Sequence, residues 1–269
     1  MALNDFSDIV TAVRYELGIP AGDDASIAKI KMAINMIYID EVVPFKRWFW
    51  LLGNTKVVHK AYYASGTVSV TPNSTTATLS VAPVVSLGSF KNYYFSVDGF
   101  DEVYEISAHT AATTTLTLSS AFQGSLNATS SFKIWTDRVA LPTDCRETVE
   151  VWHNRRKGTM DGRGLQEFRQ IVNEQPKAQD FPFYFNVMDY YDPTDGTDET
   201  ESDRYRIMRV YPSITDQPVT VNIDYTKEIS ALVDDTDEPA MPVEDRVVLV
   251  YGALSREWRR LRNEIGRAV

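Results

Sequence analysis

One cysteine, Cys145, stands in 269 residues, so no intrachain disulfide can form and the chain suits a reducing compartment. Histidine is nearly as scarce. His59, His109 and His153 lie far apart, in expected strands or near their ends, and none stands at metal-ligand spacing from another. They are expected to be structural, with no metal and no cofactor. No apolar run approaches ~18 residues, which excludes a spanning helix. The start, Met1-Ala-Leu-Asn-Asp5, has neither a basic nor an apolar leader region, so no signal peptide is expected. Without one, the glycosylation patterns at Asn73-Ser-Thr and Asn127-Ala-Thr are read as chance.

Reactive constellations are missing as well. No Gly-x-Ser-x-Gly elbow supplies a hydrolase nucleophile. The run from Gly158 through Gly162 to Gly164 lacks the Gly-Lys-Ser/Thr of a phosphate loop and does not follow the dinucleotide pattern. The acidic stretch around Asp192, Asp195 and Asp198 has the composition of a calcium loop. It lacks the alternating ligand spacing and terminal Glu, and is read as a solvated loop. Together these point away from an enzyme. Lys and Arg number 27 against 37 Asp and Glu, a net charge of −10. That balance disfavours free-standing binding to DNA phosphates but allows a protein that surrounds DNA without gripping it.

What the chain does have is a change of pattern. Residues before Trp48-Phe49-Trp50 and at the far end carry helical periodicity, whereas the block at about 65–135 is Ser/Thr-rich, alternates like strands and holds few charges. The first helix is expected over 4–17, with Leu3, Phe6, Val10, Val13 and Leu17 on one face and Asn4 or Asp5 as cap. A second follows Asp23-Asp24 and ends near Val43, before Pro44. Ile27, Ile30, Ile34, Ile37 and Tyr38 form one stripe; Met32, Met36, Ile39 and Val43 form another. Two apolar faces fit either a central core helix or a helix with a neighbouring subunit on its second side, through Met32, Met36 and Ile39. Trp48 and Trp50 are expected to lock a loop onto the core.

Period-2 runs at Val68/Val70, Leu79/Val81, Tyr93/Phe95/Val97, Tyr104/Ile106, Leu116/Leu118 and Phe132/Ile134 indicate an antiparallel barrel or sandwich, separated by turn signals such as Pro72-Asn73 and Asp98-Gly99. The expected class is α+β: a helical body from 1–61 and 137–269, with an inserted β module over 62–136. Beyond the module, residues 148–152 read as a strand and 165–172 as a short helix. Residues 180–203 read as an aromatic, acidic loop. Residues 205–211 and 219–225 read as a hairpin, and 230–242 as an acidic linker. Arg155, Arg156, Lys157, Arg163 and Arg169 form a basic region suited either to DNA phosphate or to acidic neighbours in an oligomer.

The last helix, from Pro242 or Val243, carries Val247, Tyr251, Leu254, Trp258, Leu261 and Ile265 in alternating steps of four and three, a short heptad seam, with Arg267 off it near the end. The seam either packs on the protein's own core or docks into a partner. In the second case Leu254, Trp258 and Leu261 are buried there while Arg256, Arg259, Arg260 and Arg262 meet acidic groups.

Several of these signals recur in one order in a known family. They are Trp48-Phe-Trp-Leu51, Phe95-Ser-Val-Asp-Gly99, Asp101-Glu-Val-Tyr-Glu-Ile106, Leu116-Thr-Leu118, Phe122-Gln-Gly124 and Leu141-Pro-Thr-Asp144. Tyr225-Thr-Lys227, Leu232, Pro239 with Pro242, and Val248-Leu-Val-Tyr-Gly-Ala-Leu254 follow. In them the chain resembles head-to-tail adaptor (neck or connector) proteins of tailed bacteriophages. The resemblance implies a virion structural protein made in the host cytoplasm and placed at the head–tail junction. It implies a homo-oligomeric ring, commonly dodecameric, beneath the portal protein. A lower neck or tail protein binds below, and genomic DNA passes through the lumen during packaging and ejection without sequence-specific binding. The alternative is a tail-associated binding module whose β insert recognises carbohydrate or a host surface; exposed Trp or Tyr in a concave face of the insert would favour it.

Overall fold

The computed structural model describes residues 3–125, 127–155, 158–191 and 204–268. The chain divides into unit 1 (Met1–Gly53, Asp144–Glu147, Tyr225–Val269) and unit 2 (Asn54–Thr143, Thr148–Asp224). The fold is α+β. Three strands, β1 (Leu52–His59), β10 (Cys145–His153) and β14 (Val219–Lys227), form a sheet in the order β1-β14-β10 and carry the chain from one unit into the other.

Unit 1 is built on helices. Asp5 caps α1 (Phe6–Leu17) by accepting the Asp8 N–H at 2.8 Å, and left-handed Gly18 closes it. Asp23 caps α2 (Asp24–Met36) in the same way, accepting the Ser26 N–H at 3.1 Å. The chain then widens into a π turn, Ile37–Val42, and continues as α3 (Val43–Phe45). Sequence periodicity ends this helix before Pro44, but the structure carries Pro44 inside α3. The π turn explains the difference: Val43 N–H reaches back to Tyr38 O, and the wider turn moves carbonyls out of the way of the pyrrolidine ring. A short 3-10 turn at Val243–Asp245 leads into α5 (Val247–Ala268).

Phe6, Ile9 and Val13 of α1, Ile30 and Ile34 of α2, Ile37 of the π turn, and Leu249 and Ala253 of α5 share one core. Each fully buried aliphatic side chain contributes roughly 1.5–3 kcal/mol. Trp48 and Trp50 stack at 5.8 Å against its rim, and the Trp48 indole donates to Val42 O at 2.7 Å.

The stretch 230–242, which composition reads as a linker, is docked along its length. Leu232 and Met241 are buried in the core. The Asn35 amide bonds both the N–H and the C=O of Leu232 at 2.8 Å. Phe6 and Ser7 N–H donate to Asp237 O and Asp235 O, so this stretch satisfies the open donors of α1's first turn. The Tyr38 hydroxyl accepts the Ala240 N–H at 2.9 Å, and burial pushes that phenol's pKa up.

Unit 2 contains the β module. Strands β2 (Val68–Val70), β3 (Thr76–Leu79), β4 (Tyr94–Val97), β5 (Tyr104–His109), β6 (Thr115–Leu118), β7 (Asn127–Ser130) and β8 (Phe132–Trp135) pair in the order β7-β2-β3-β6-β5-β4-β8. The two outer strands are consecutive in the chain, separated by Ser131 alone, so the sheet curls into a nearly closed antiparallel barrel. Tyr63 covers the outer side of β8 by exchanging two backbone bonds with Ile134, at 2.7 and 2.8 Å.

Alternation puts Val68, Val70, Ala77, Leu79, Phe95, Ile106, Leu116 and Ile134 inside, with Phe90 and Phe122 closing the core. Ser69, Thr76, Thr78 and Thr115 point outward. Val81, grouped with Leu79 by its spacing, lies beyond β3 and is exposed. Gly124 is required where it stands: a Cβ there would sit 2.5 Å from atoms of both Phe100 and Phe122.

All the buried and partly buried side chains of this core come from within 62–136. We therefore expect a fragment of residues 61–136 to unfold cooperatively and to give dispersed amide NMR resonances. Broad lines with no near-UV circular dichroism would show that the barrel depends on the rest of unit 2.

A second sheet of unit 2, ordered β11-β12-β13-β9, joins β11 (Asp161–Gly162), β12 (Tyr184–Tyr191), β13 (Arg204–Tyr211) and β9 (Arg138–Ala140). Helix α4 (Leu165–Glu174) buries Phe168. Two sequence expectations are corrected here. Residues 184–191, read as loop, are a full strand, and β13 pairs antiparallel with it from Tyr184↔Tyr211 to Tyr191↔Arg204. β13 does not form a hairpin with β14. Between them Ile214 bridges Gln179 in parallel and Thr215 O accepts the Tyr62 N–H at 2.9 Å, so the chain crosses to another sheet instead of turning back. The acidic residues from Asp192 to Asp203 lie outside the described residues, as does any calcium-loop reading of them.

Candidate interaction surfaces

The inward face of α5 is made of small or medium side chains: Leu249, Val250 and Ala253 are buried, and so is Glu257, which is 4% exposed and ion-paired with Arg260 at 2.7 Å. Gly252 lets the helix approach closely, since a Cβ there would lie 2.7 Å from Ile37 Cγ2. This close approach decides which stripe of α5 faces the core. The heptad residues Val247, Tyr251 and Trp258 are turned out, Tyr251 67% and Trp258 59% exposed. Leu254 is partly buried and packs against the core, and Leu261 is half-buried. Ile265 and Arg267 lie on α5 beyond the described side chains.

The four arginines separate. Arg260 is held by Glu257, and Arg256 Nη1 reaches Glu41 of the π turn at 3.5 Å. Arg259 bonds the Ser255 carbonyl and hydroxyl of its own helix at 3.2 Å, and Arg262 is exposed. The outward surface is therefore Tyr251 and Trp258 flanked by Arg256, Arg259 and Arg262. Val248, 48% exposed, extends it and was not singled out by the heptad spacing. Of the three residues assigned to a second face of α2, Met32 is 62% exposed, Met36 is half-buried and Ile39 packs partly against the core. Phe45 and Phe49, both largely exposed, were hidden in the sequence among the tryptophans that anchor their loop.

The histidines act as backbone staples. His59 Nε2 meets Ser213 O at 3.0 Å, and burial pushes its pKa down, keeping it neutral. His109 accepts the Phe90 N–H at 3.0 Å and its other nitrogen meets Thr113 O. His153 meets Pro182 O at 2.8 Å and accepts the Arg155 N–H. In the basic region, Arg155 donates to Gln217 and Arg163 is paired with both Asp161 and Glu167. These two cations are already engaged; Arg156 and Lys157 lie outside the described residues. No group of His, Cys, Asp and Glu suited to a metal occurs among the described residues. No helix is long and apolar enough to cross a membrane among them either. Comparison with protein-family models gives no match to this chain, and comparison with curated proteins gives none either.

Proposed function

We propose that this chain is a virion structural protein without catalytic activity: a head-to-tail adaptor that joins a ring below the portal protein. Genomic DNA passes through that ring, and a lower neck or tail protein binds beneath it. The observation that carries the reading is α5. One face is fully committed to its own core, and the opposite face presents two exposed aromatic rings among arginines. Trp, Tyr and Arg together are the composition of an interface hot spot, and an exposed stripe of this kind marks a binding face. The net charge of −10 is consistent with DNA sliding past rather than being held.

The rival reading places carbohydrate recognition on the barrel. Among the described residues, the large apolar side chains that the barrel strands and their connections (68–135) expose are Val81, Val84 and Val85, with no largely exposed aromatic among them, which gives that reading little support there.

Trp258→Ala decides whether α5 docks. Because Trp258 is exposed, its removal is expected to change folding stability by no more than about 0.5 kcal/mol. Portal binding should fall at least tenfold, as for loss of a hot-spot residue. Unchanged portal binding by a folded variant would remove α5 from the interface. Electron microscopy of the chain with portal tests the ring itself: particles lacking rotational symmetry about the tail axis would overturn the adaptor reading.

A further inference from the structure

Three cavities of unit 2 adjoin one another around the segment that leads into β12. Their volumes are about 270, 520 and 510 Å³, and Asp180 lines all three. Phe181, Phe183 and Tyr184 supply aromatic walls, joined by Tyr62 at one end. Phe183 and Tyr184 meet edge to face at 4.6 Å, so the two rings present differently oriented surfaces. Polar groups line the same cavities. Asp180 uses Oδ1 to accept its neighbour's N–H at 2.7 Å, and Asp216 and Glu174 add carboxylates in the flanking cavities. Thr215, 2% exposed, lines the smallest cavity, and its hydroxyl has no partner among the described residues.

We infer that this groove binds a neutral oligosaccharide. Sugar rings offer an apolar C–H face to an aromatic wall and vicinal hydroxyls to carboxylates, which matches a lining that combines rings and acids. Other ligand classes fit worse. Asp180, Asp216 and Glu174 repel a polyanion, and the one lining arginine among the described residues, Arg155, already donates to Gln217 at 2.8 Å. A peptide that binds by adding a strand needs a free strand edge. The Phe183 backbone is used on both sides, its N–H donating to Tyr211 O and its C=O accepting from Asp161 N–H. The inference does not depend on the adaptor reading, since the groove and α5 share no residue.

The test is an array of neutral glycans, covering hexoses, amino sugars and deoxy sugars, probed with the full chain. Saturation-transfer NMR and titration calorimetry on the best ligand follow. Binding is expected, with saturation passing from aromatic protons to sugar C–H groups. Phe181→Ala and Asp180→Asn should each weaken it about tenfold or more, with portal binding unaffected. Asp180 is exposed, so Asp180→Asn decides the matter if Phe181→Ala fails to fold. No binding to any neutral glycan, or equal binding by the folded variants, overturns the assignment. So does a preference for peptides or for sulfated polyanions.

Discussion

Arg246→Ala is expected to lower the stability of unit 1 by about 3–5 kcal/mol, because it leaves several buried carbonyls without their charge-assisted donors. Arg246 is 5% exposed and sits just before α5. Its guanidinium donates Nε–H to Met241 O at 3.1 Å, Nη2 to Pro239 O at 2.9 Å, and Nη1 to Leu3 O at 3.0 Å and also to Asn4 O. The formal counter-ion, Glu238, lies 3.7 Å away and is mostly solvated, so carbonyl dipoles do most of the stabilising. The planar fork gathers the chain's N-terminal segment and the 230–242 stretch around one charge. Lysine, a point donor on a flexible stem, cannot reach all four carbonyls and should recover little. Alanine strands those carbonyls and releases both segments. The measurements are the melting temperature, expected to fall by roughly 10 °C, and hydrogen exchange at Phe6 and Ser7, whose N–H groups bond Asp237 O and Asp235 O. A melting temperature within ~2 °C of the parent, with those amides still protected, would sink the idea.

Nothing in the sequence marks Arg246, because its partners are carbonyls, which every residue has. What could be read was what periodicity encodes. Helix α1 and its cap, the inward stripe of α2 and the inward positions of the barrel strands follow from spacing alone, since each has one dry and one wet side. Strand β12 breaks that rule. Asn186 is buried while Phe185, Val187 and Met188 are each half-buried, so no clean alternation exists, and the acidic residues that follow pull the reading toward a loop. The candidate site was legible as to element and not as to face. As a set, Leu254, Trp258 and Leu261 carry larger apolar side chains than Leu249, Val250 and Ala253, and so attract the reading of the core face. Yet Gly252 and Ala253 allow the closer helix approach and thereby win the core. The groove around Asp180 arises from pairings across long sequence separations, Gln179 with Ile214 and Phe183 with Tyr211, which no local pattern records.

In unit 2, Arg209→Ala is expected to cost a similar 3–5 kcal/mol at neutral pH, and the cost should shrink as pH falls. Asp137 is 3% exposed, and its Oδ2 accepts Arg209 Nε–H at 2.7 Å and meets Nη2 at 2.5 Å. Arg209 also donates to the Tyr94 hydroxyl at 3.2 Å and lies over the Phe168 ring, so one guanidinium ties β13 to β4 of the barrel and to α4. Burial pushes the Asp137 carboxyl above its ordinary value even with the arginine present, because desolvation outweighs the attraction. Without Arg209 the carboxyl must rise further. A carboxyl whose folded pKa lies above its unfolded value favours folding below the unfolded value and loses that contribution as pH rises through the folded one. The variant should therefore be least stable above its raised folded pKa and regain stability toward acid, until other carboxylates titrate. Denaturant melts of the parent and Arg209→Ala between about pH 5 and pH 8 read this directly. The pair Arg209→Met with Asp137→Leu removes both charges and should recover most of the loss at pH 7, since a buried ion pair replaced whole by apolar groups is often neutral. If Arg209→Ala shows the same deficit at every pH, or the double variant is no better than the single, the cost lies in lost packing on Phe168 rather than in an orphaned charge.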